Sequence, residues 1–235
     1  MSEYFVFDGV DSRSFSIAAF ERSTHTGPAR VYNSIDIPGK SGSVLVDGRR
    51  HPNLSHSYGC IIYKNCSQNL EGFREFLLSR SGYCRLEDSI HPDEFYMACY
   101  RESFEPVLDR DRSMCKFQLV FERKPQRFLK IGELTTVLTS TGSIHNPTRF
   151  ASQPLLRIRG NGKVGIGENE ITLTDNTSYI DVDCEIMEAF TGTTSKNANV
   201  SFSQNDFPVL HAGVNGITLG SGITNVEITP RWYRM

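Results

Sequence analysis

Several arrangements in this 235-residue chain use residue types that do chemistry elsewhere, and each fails on its spacing. Gly160-Asn-Gly-Lys-Val-Gly165 matches G-x-G-x-x-G and follows an apolar strand, Leu155–Arg159. A dinucleotide site needs a helix directly after that turn, because the helix N-terminus holds the pyrophosphate. Here the continuation to Leu173 is strand-like and broken by glycine, which predicts a β-hairpin turn. Gly39-Lys40-Ser41 matches the end of a P-loop. Ser34 stands where that loop needs a glycine, and Pro38 lacks a backbone donor that would cradle phosphate. His51 and His56 have no third ligand at useful spacing. Glu87–Asp88 and Asp93–Glu94 are adjacent in extended segments, so each pair splits between opposite faces and makes no acid–base couple. No G-x-S-x-G elbow is present. The expectation is a protein that is not an enzyme, with no catalytic residue, no metal site and no cofactor.

The six cysteines (Cys60, Cys66, Cys84, Cys99, Cys115 and Cys184) form no C-x-x-C and no dense framework. Several sit in apolar strand-like runs, where a reduced thiol acts as a small hydrophobe. The N-terminal Met-Ser-Glu-Tyr-Phe does not read as a signal peptide. Buried thiols made in a reducing compartment are therefore expected. Net charge is −2, which argues against a polyanion-binding protein. No apolar run approaches the roughly 18 residues of a membrane span. Arginine outnumbers lysine, 18 to 7. Its planar fork suits protein–protein contacts, a pointer towards an assembly protein.

The elements that would position these residues are mostly strands. Glu3–Gly9, Ser14–Glu21, Arg30–Ile37, Ser43–Arg50 and Tyr58–Tyr63 read as strands, with Asp47-Gly48 as a hairpin signal. One helix follows. Ser67 is its expected N-cap, and Leu70, Phe73, Phe76 and Leu77 fall on one face. Arg80 in the last turn and Gly82 beyond it suit the helix end. The helix is expected to lie across a sheet. Tyr83–Tyr100 reads as strand, loop and strand. Met114–Phe121 alternates at strand period.

The chain changes character at Phe121–Lys130. Residues 1–130 hold 18 Lys+Arg against 17 Asp+Glu, and residues 131–235 hold 7 against 10. Pro125 breaks the strand, and five of the six cysteines precede it. Two domains are expected: 1–130, β-rich with one helix; a linker, 131–153; and 154–235. In the last, short strands separated by turn residues predict an all-β sandwich. The fold class is mainly β.

Taken together, the motifs resemble the distal tail protein (Dit) family of siphophages. Ile35-Asp-Ile-Pro-Gly-Lys-Ser-Gly42 followed by Asp47-Gly48 is similar to the family's PGR-x-G region, with Lys40 where arginine is commoner. The helix leading into Gly82-Tyr-Cys-Arg-Leu-Glu-Asp88 and Pro92–Ala98 is a second likeness. Phe207–Asn215 with Asn225–Trp232 is a third. The likeness runs over nearly the whole chain. It implies an N-terminal domain that forms a homo-hexameric ring and a C-terminal galectin-like β-sandwich. Such a ring is a structural virion component of the tail tip, assembled in the host cytoplasm. It joins the tail tube protein to a tail-tip, tail-associated or receptor-binding protein, and DNA passes through without specific binding. No membrane is involved. The candidate oligomer interface is the glycine-rich stretch carrying Ile37, Pro38, Gly39, Lys40, Asp47, Gly48, Arg49 and Arg50. The alternative is a carbohydrate-binding adhesin module that recognises the host surface, suggested by the sandwich half. Trp232 is expected to pack on its own sheet or on a neighbouring subunit rather than to face a sugar.

Overall fold

Alternation along Cys115, Phe117, Leu119 and Phe121 turns these side chains to one face, and all four are buried. They lie on β10 (Cys115–Arg123), the strand around which the first unit is built. The computed structural model describes residues 3–21 and 26–235; Met1 and Ser2 of the N-terminal stretch lie outside them. Two compact units divide between Arg127 and Phe128.

The first unit contains β1 (Phe5–Phe7), β2 (Val10–Asp11), β3 (Ile17–Glu21), β4 (Tyr32–Asp36), β5 (Ser43–Asp47), β6 (Leu54–Ile62), α1 (Cys66–Leu78), β7 (Cys84–Asp88), β8 (Glu94–Tyr100), β9 (Val107–Leu108) and β10. Its main sheet runs β2-β1-β7-β8-β10-β6-β3, with β9 paired to the start of β10. All these pairings are antiparallel. β4 and β5 pair only with each other.

The helix packs on this sheet, as expected. Leu70, Phe73 and Leu77 are buried, and Phe76 packs against the same cluster. The Phe73 ring lies 6.3 Å from Phe5, 6.0 Å from Phe117 and 5.5 Å from Phe15. Each buried side chain of this face contributes about 1.5–3 kcal/mol. The helix start differs from expectation. Asn65, not Ser67, is the N-cap, and it takes a left-handed φ of 46°. Asparagine tolerates that conformation, which lets the chain turn sharply out of β6. At the other end Gly82 has φ 73°, and Arg80 pairs with Asp8 at 2.7 Å instead of serving the helix terminus.

In the second unit, β11 (Arg127–Leu129) begins at the division. β12 (Thr136–Leu138) and β13 (Gly142–Asn146) follow, then β14 (Leu155–Gly160), β15 (Gly162–Ile166), β16 (Asn169–Leu173) and β17 (Ile180–Asp183). β18 (Glu188–Thr191), β19 (Thr194–Ser195), β20 (Val200–Phe202), β21 (Gly213–Leu219) and β22 (Ile223–Thr229) complete two sheets. One is ordered β12-β22-β14-β17-β18-β19 and the other β13-β21-β15-β16-β20. A single apolar core takes Leu156, Ile158, Val182 and Ile228 from the first and Val164, Ile166, Ile171 and Ile217 from the second. This is a β-sandwich. Residues 131–153 are not a linker. β12 pairs with β22 and β13 with β21, so the stretch supplies one strand to each sheet. Its Thr, Ser and Gly content reads as loop because both strands are short sheet edges, and β13 turns Ser143 and His145 outward.

The Gly160–Gly165 motif is a corner between the two sheets, not a hairpin within one, since β14 and β15 lie in different sheets. Gly160 has φ 99°, and a Cβ there would stand 2.1 Å from the Gly222 carbonyl oxygen. A Cβ on Gly222 would meet the Asn161 carbonyl oxygen at 2.2 Å. Asn161 and Asn176 clasp the corner. The Asn161 Nδ2 donates to the Asn176 carbonyl at 3.0 Å, and the Asn176 amide donates back to Asn161 Oδ1 at 2.8 Å.

These packing arrangements make two predictions. Gly160→Ala should lower stability by about 2 kcal/mol or more, because the methyl strikes backbone and the φ is strained for an L-residue. Urea unfolding measures this, and an unchanged midpoint would contradict the corner's role. The second concerns His56, which is 3% exposed between Tyr58 and Tyr96. Burial, reinforced by Arg123, pulls its imidazole from 6.5 down to about 4. In that window the unfolded chain binds a proton that the folded chain refuses. Stability should therefore be insensitive to this group above about pH 6.5 and fall as pH drops towards 4, by about 3 kcal/mol in total. Urea unfolding stepped through that range, with His56→Phe flattening the slope, is the check. An identical slope in the variant would assign the effect to other groups.

Candidate functional site

All ten strand residues of β4 and β5 are exposed. This hairpin carries the eight residues expected at the interface. Five registered pairs hold it, from Tyr32↔Asp47 to Asp36↔Ser43. The chain reverses at Ile37–Gly42, where Gly39 and Gly42 take φ of 79° and 82° and the Lys40 amide donates to the Ile37 carbonyl at 3.1 Å. Positive φ is the reason for glycine at those two places.

Asp47-Gly48 is not the turn. It closes the root of the hairpin through a side-chain staple. The Asp47 carboxylate accepts from Arg30 Nε at 3.0 Å, from Arg30 Nη2 at 2.5 Å and from the Arg49 amide at 2.9 Å. The Arg30 guanidinium, followed by the Arg49 amide, holds that carboxyl below its ordinary value. Gly48 donates to the Val31 carbonyl at 2.8 Å, and a Cβ on it would crowd that same oxygen at 3.0 Å. An Asx staple and a two-residue hairpin turn draw on the same residue types, so the sequence alone reads either way.

The structure thus brings the eight residues together in one hairpin but at its two ends. Ile37, Pro38, Gly39 and Lys40 form the tip, and Asp47, Gly48, Arg49 and Arg50 the root. What the sequence reading missed lies between them. Tyr32, Ile35, Val44, Leu45 and Val46 are all exposed, with Leu45 at 63%. A run such as Val44-Leu-Val46 normally marks a buried strand, so its exposure could not be read from type and period.

The other candidates resolve as structure. His51 Nδ1 lies 2.9 Å from the Ala29 carbonyl, and His56 is in the core. Glu87 pairs with Arg85 at 2.5 Å, while buried Asp88 accepts from Tyr58 at 3.1 Å and lies 3.2 Å from His91 Nδ1. The two carboxylates do part to opposite sides. Among the described residues no group of three or more His, Cys, Asp or Glu could hold a metal ion. An open depression of about 350 Å³ is lined by Asn53, Leu54, Arg101, Glu102, Val120 and Glu122. Its polar groups bind one another: Asn53 donates to Glu122 Oε1 at 2.6 Å, and Arg101 pairs with Glu122 Oε2. Among the described residues no helix is long and apolar enough to cross a membrane. In the second unit Trp232 is 4% exposed within the sandwich core, and none of that unit's described aromatic side chains is exposed.

No family model and no curated protein sequence matches the chain. Solved structures do. The Dit protein of phage SPP1, described as a paradigm of the hub adsorption apparatus in Gram-positive infecting phages, superposes with a TM-score of 0.72 at 17% identity, over 100% of both chains. A chain of the phage P2 baseplate in its activated conformation with Ca gives 0.53 at 10% identity, over 100% of this chain and 98% of that one. The same baseplate with Sr gives 0.52 at 10% identity, over 100% and 99%. At such identities the likeness is one of fold, and it spans the whole chain. The mainly β architecture and the resemblance drawn from the motifs thus meet in phage tail hub and baseplate structures.

Proposed function

We propose that this chain is a structural protein of a phage tail hub. It closes into a homo-hexameric ring between tail tube and tail tip, and DNA passes through the ring without being bound in a sequence-specific way. The observation that carries this reading is the apolar hairpin standing clear of its own sheet, in a chain with the fold of hub proteins. An isolated two-stranded ribbon is marginal in water, and an apolar one is an aggregation hazard unless something covers it. Repetition of one heterologous contact around a closed ring covers every such ribbon. The ring is built by the first unit, and the eight residues of the hairpin's tip and root belong to its contact. The tail tube protein and a tail-tip or receptor-binding protein are the neighbours above and below. The place of action is the virion tail, after assembly in the host cytoplasm, and the protein is not an enzyme.

The inward packing of Trp232 supports a scaffold rather than an adhesin. Sugar sites offer an exposed aromatic face ringed by polar groups; Trp232 is buried and the sandwich's other aromatics are at least partly covered. A fold shared with lectins does not carry their function.

Native mass spectrometry at micromolar concentration should show six copies or a multiple of six. Leu45→Asp, at an exposed position, should leave the unfolding midpoint within about 0.5 kcal/mol of wild type while weakening assembly at least tenfold. Wild-type protein that stays monomeric at every concentration would refute the ring. A Leu45→Asp ring of unchanged stability would take the hairpin out of the contact.

A further inference from the structure

The first unit holds a pair of buried thiols that its sheet brings together from distant parts of the chain. We infer that Cys66 and Cys115 are a redox-sensitive staple: a dithiol while the protein is made in a reducing compartment, and a disulfide joining the start of α1 to the start of β10 once an oxidant of the disulfide class reaches it. The biological setting, a reducing cytoplasm and then a virion outside the cell, rests on the function proposed above; the chemistry does not.

Cys66 is the first residue of α1 and Cys115 the first of β10. Cys115 stands opposite Ile62 in the pairing of β10 with β6, and only Tyr63, Lys64 and Asn65 separate Ile62 from Cys66. The left-handed Asn65 turns the chain there, so α1 begins beside the paired ends of β6 and β10. Both thiols enter the same buried cluster, at 2% and 1% exposure, and they hydrogen-bond to each other. Burial, followed by that bond with Cys66, pushes the Cys115 thiol up to about 12, so Cys115 stays protonated while the site is closed. The other cysteines are placed differently. Cys84 lies opposite Ala98, so Cys99, one residue on, points to the other face of the sheet. Cys60 lies opposite Phe117, with its Sγ–H towards the Tyr58 carbonyl at 3.9 Å, and Cys184 belongs to the second unit.

Reaction starts where the cover is weakest. The N-cap Asn65 makes no side-chain capping bond, and the first turn of α1 carries no acidic residue. Asn69 ties this turn back, donating its amide to the Asn65 carbonyl at 3.0 Å and its Nδ2 to the Lys64 carbonyl at 2.7 Å, the latter an exposed bond. A helix end held in this way opens before the strands do, and its opening uncovers Cys66 rather than Cys115. The Cys66 thiol gives its proton to water and its sulfur attacks oxidised glutathione. The glutathione S–S bond breaks, a mixed disulfide forms and one glutathione thiolate leaves. When the turn closes, Cys115 gives up its proton and its sulfur attacks the Cys66 sulfur, which expels the second glutathione thiolate. The protein loses two protons and two electrons, and oxidised glutathione is reduced to two thiols. The new bond spans α1, β7, β8 and β9, and it takes the freedom of that whole segment from the unfolded chain.

The test uses the full-length protein, purified reduced and then incubated with oxidised glutathione without denaturant. Remaining thiols are alkylated and the protein is mapped by peptide mass. A Cys66–Cys115 link should appear with a mass loss of about 2 Da, and the thermal midpoint should rise by at least about 5 °C, both reversed by dithiothreitol. Cys115→Ser should stop at the mixed disulfide on Cys66, while Cys66→Ser should leave Cys115 a free thiol, which fixes the order of attack. Cys84→Ser/Cys99→Ser should keep both the link and the rise. The wild-type map decides the matter even where a serine variant fails to fold. Wild-type protein whose Cys66 and Cys115 are both still alkylated after oxidation overturns the staple. So does a link made through Cys60 instead, or a Cys66–Cys115 link that leaves the midpoint unchanged. These readings come from thiols within one chain, so none of them bears on the ring, which native mass spectrometry decides separately.

Discussion

The pairing of β6 with β10 is the constraint on which the first unit depends. Nine consecutive residues of each strand are in antiparallel register, from Cys115↔Ile62 to Arg123↔Leu54. Alternation then aims Phe117, Leu119 and Phe121, with Cys60, Tyr58 and His56 opposite them, at a single face. The helix lies on that face, where Leu70, Phe73 and Leu77 join the same buried cluster. Phe121 in turn meets Phe5 at 5.9 Å and Phe7 at 4.8 Å, so the N-terminal strand is fixed by the same pair. A one-residue slip would reverse every one of these side chains, and so the register is strongly specified.

That register also fixes what lies outside the core. The 32-residue excursion between β3 and β6 must leave and return at the Leu54 end, and β9 must lie at the Ile62 end. The hairpin within the excursion takes nothing from the core that would stabilise it. Its five pairs, the Asp47–Arg30 fork and the Arg49 amide are local and exposed. Exposed ion pairs contribute little to stability. The hairpin is thus shaped by local chemistry, and its apolar strand residues remain exposed within the chain.

The sequence disclosed what local pattern controls. The helix face, the alternation of Cys115–Phe121 and the strand runs from Leu155 to Leu173 all depend on period, and all stand where period puts them. The errors share a physical origin. Asp47-Gly48 serves a staple or a turn with equal ease, and only the position of Arg30 decides between them. Thr136–Leu138 and Gly142–Asn146 become strands because β22 and β21 offer edges, which is information from 67 to 92 residues away. The Gly160 corner reads as a hairpin because the sequence does not say that the next strand changes sheet. At the candidate site, tip and root were legible as turn chemistry. The exposed Val44-Leu-Val46 between them was not, because burial is a tertiary property.

The sandwich shows the opposite economy. Arg231, held at φ 54°, forks onto Asp183 at 2.7 and 2.8 Å and donates its amide to Gly132 at 2.8 Å. Burial pushes the Asp183 carboxyl up, but the hydrogen bonds and charge of Arg231, together with the Glu185 and Ile186 amides, outweigh that and leave it below the ordinary value. Gly132 accepts the approach because a Cβ there would stand 2.4 Å from the Trp232 amide nitrogen. The strained φ, the missing side chain and the ion pair therefore converge on the place that seats Trp232 in the core. Residues arranged so tightly around one aromatic ring keep it in the core, 4% exposed. On the outer face of the sheet that holds β14, Arg157 pairs with Asp181 and Arg159 with Glu227 across the strands.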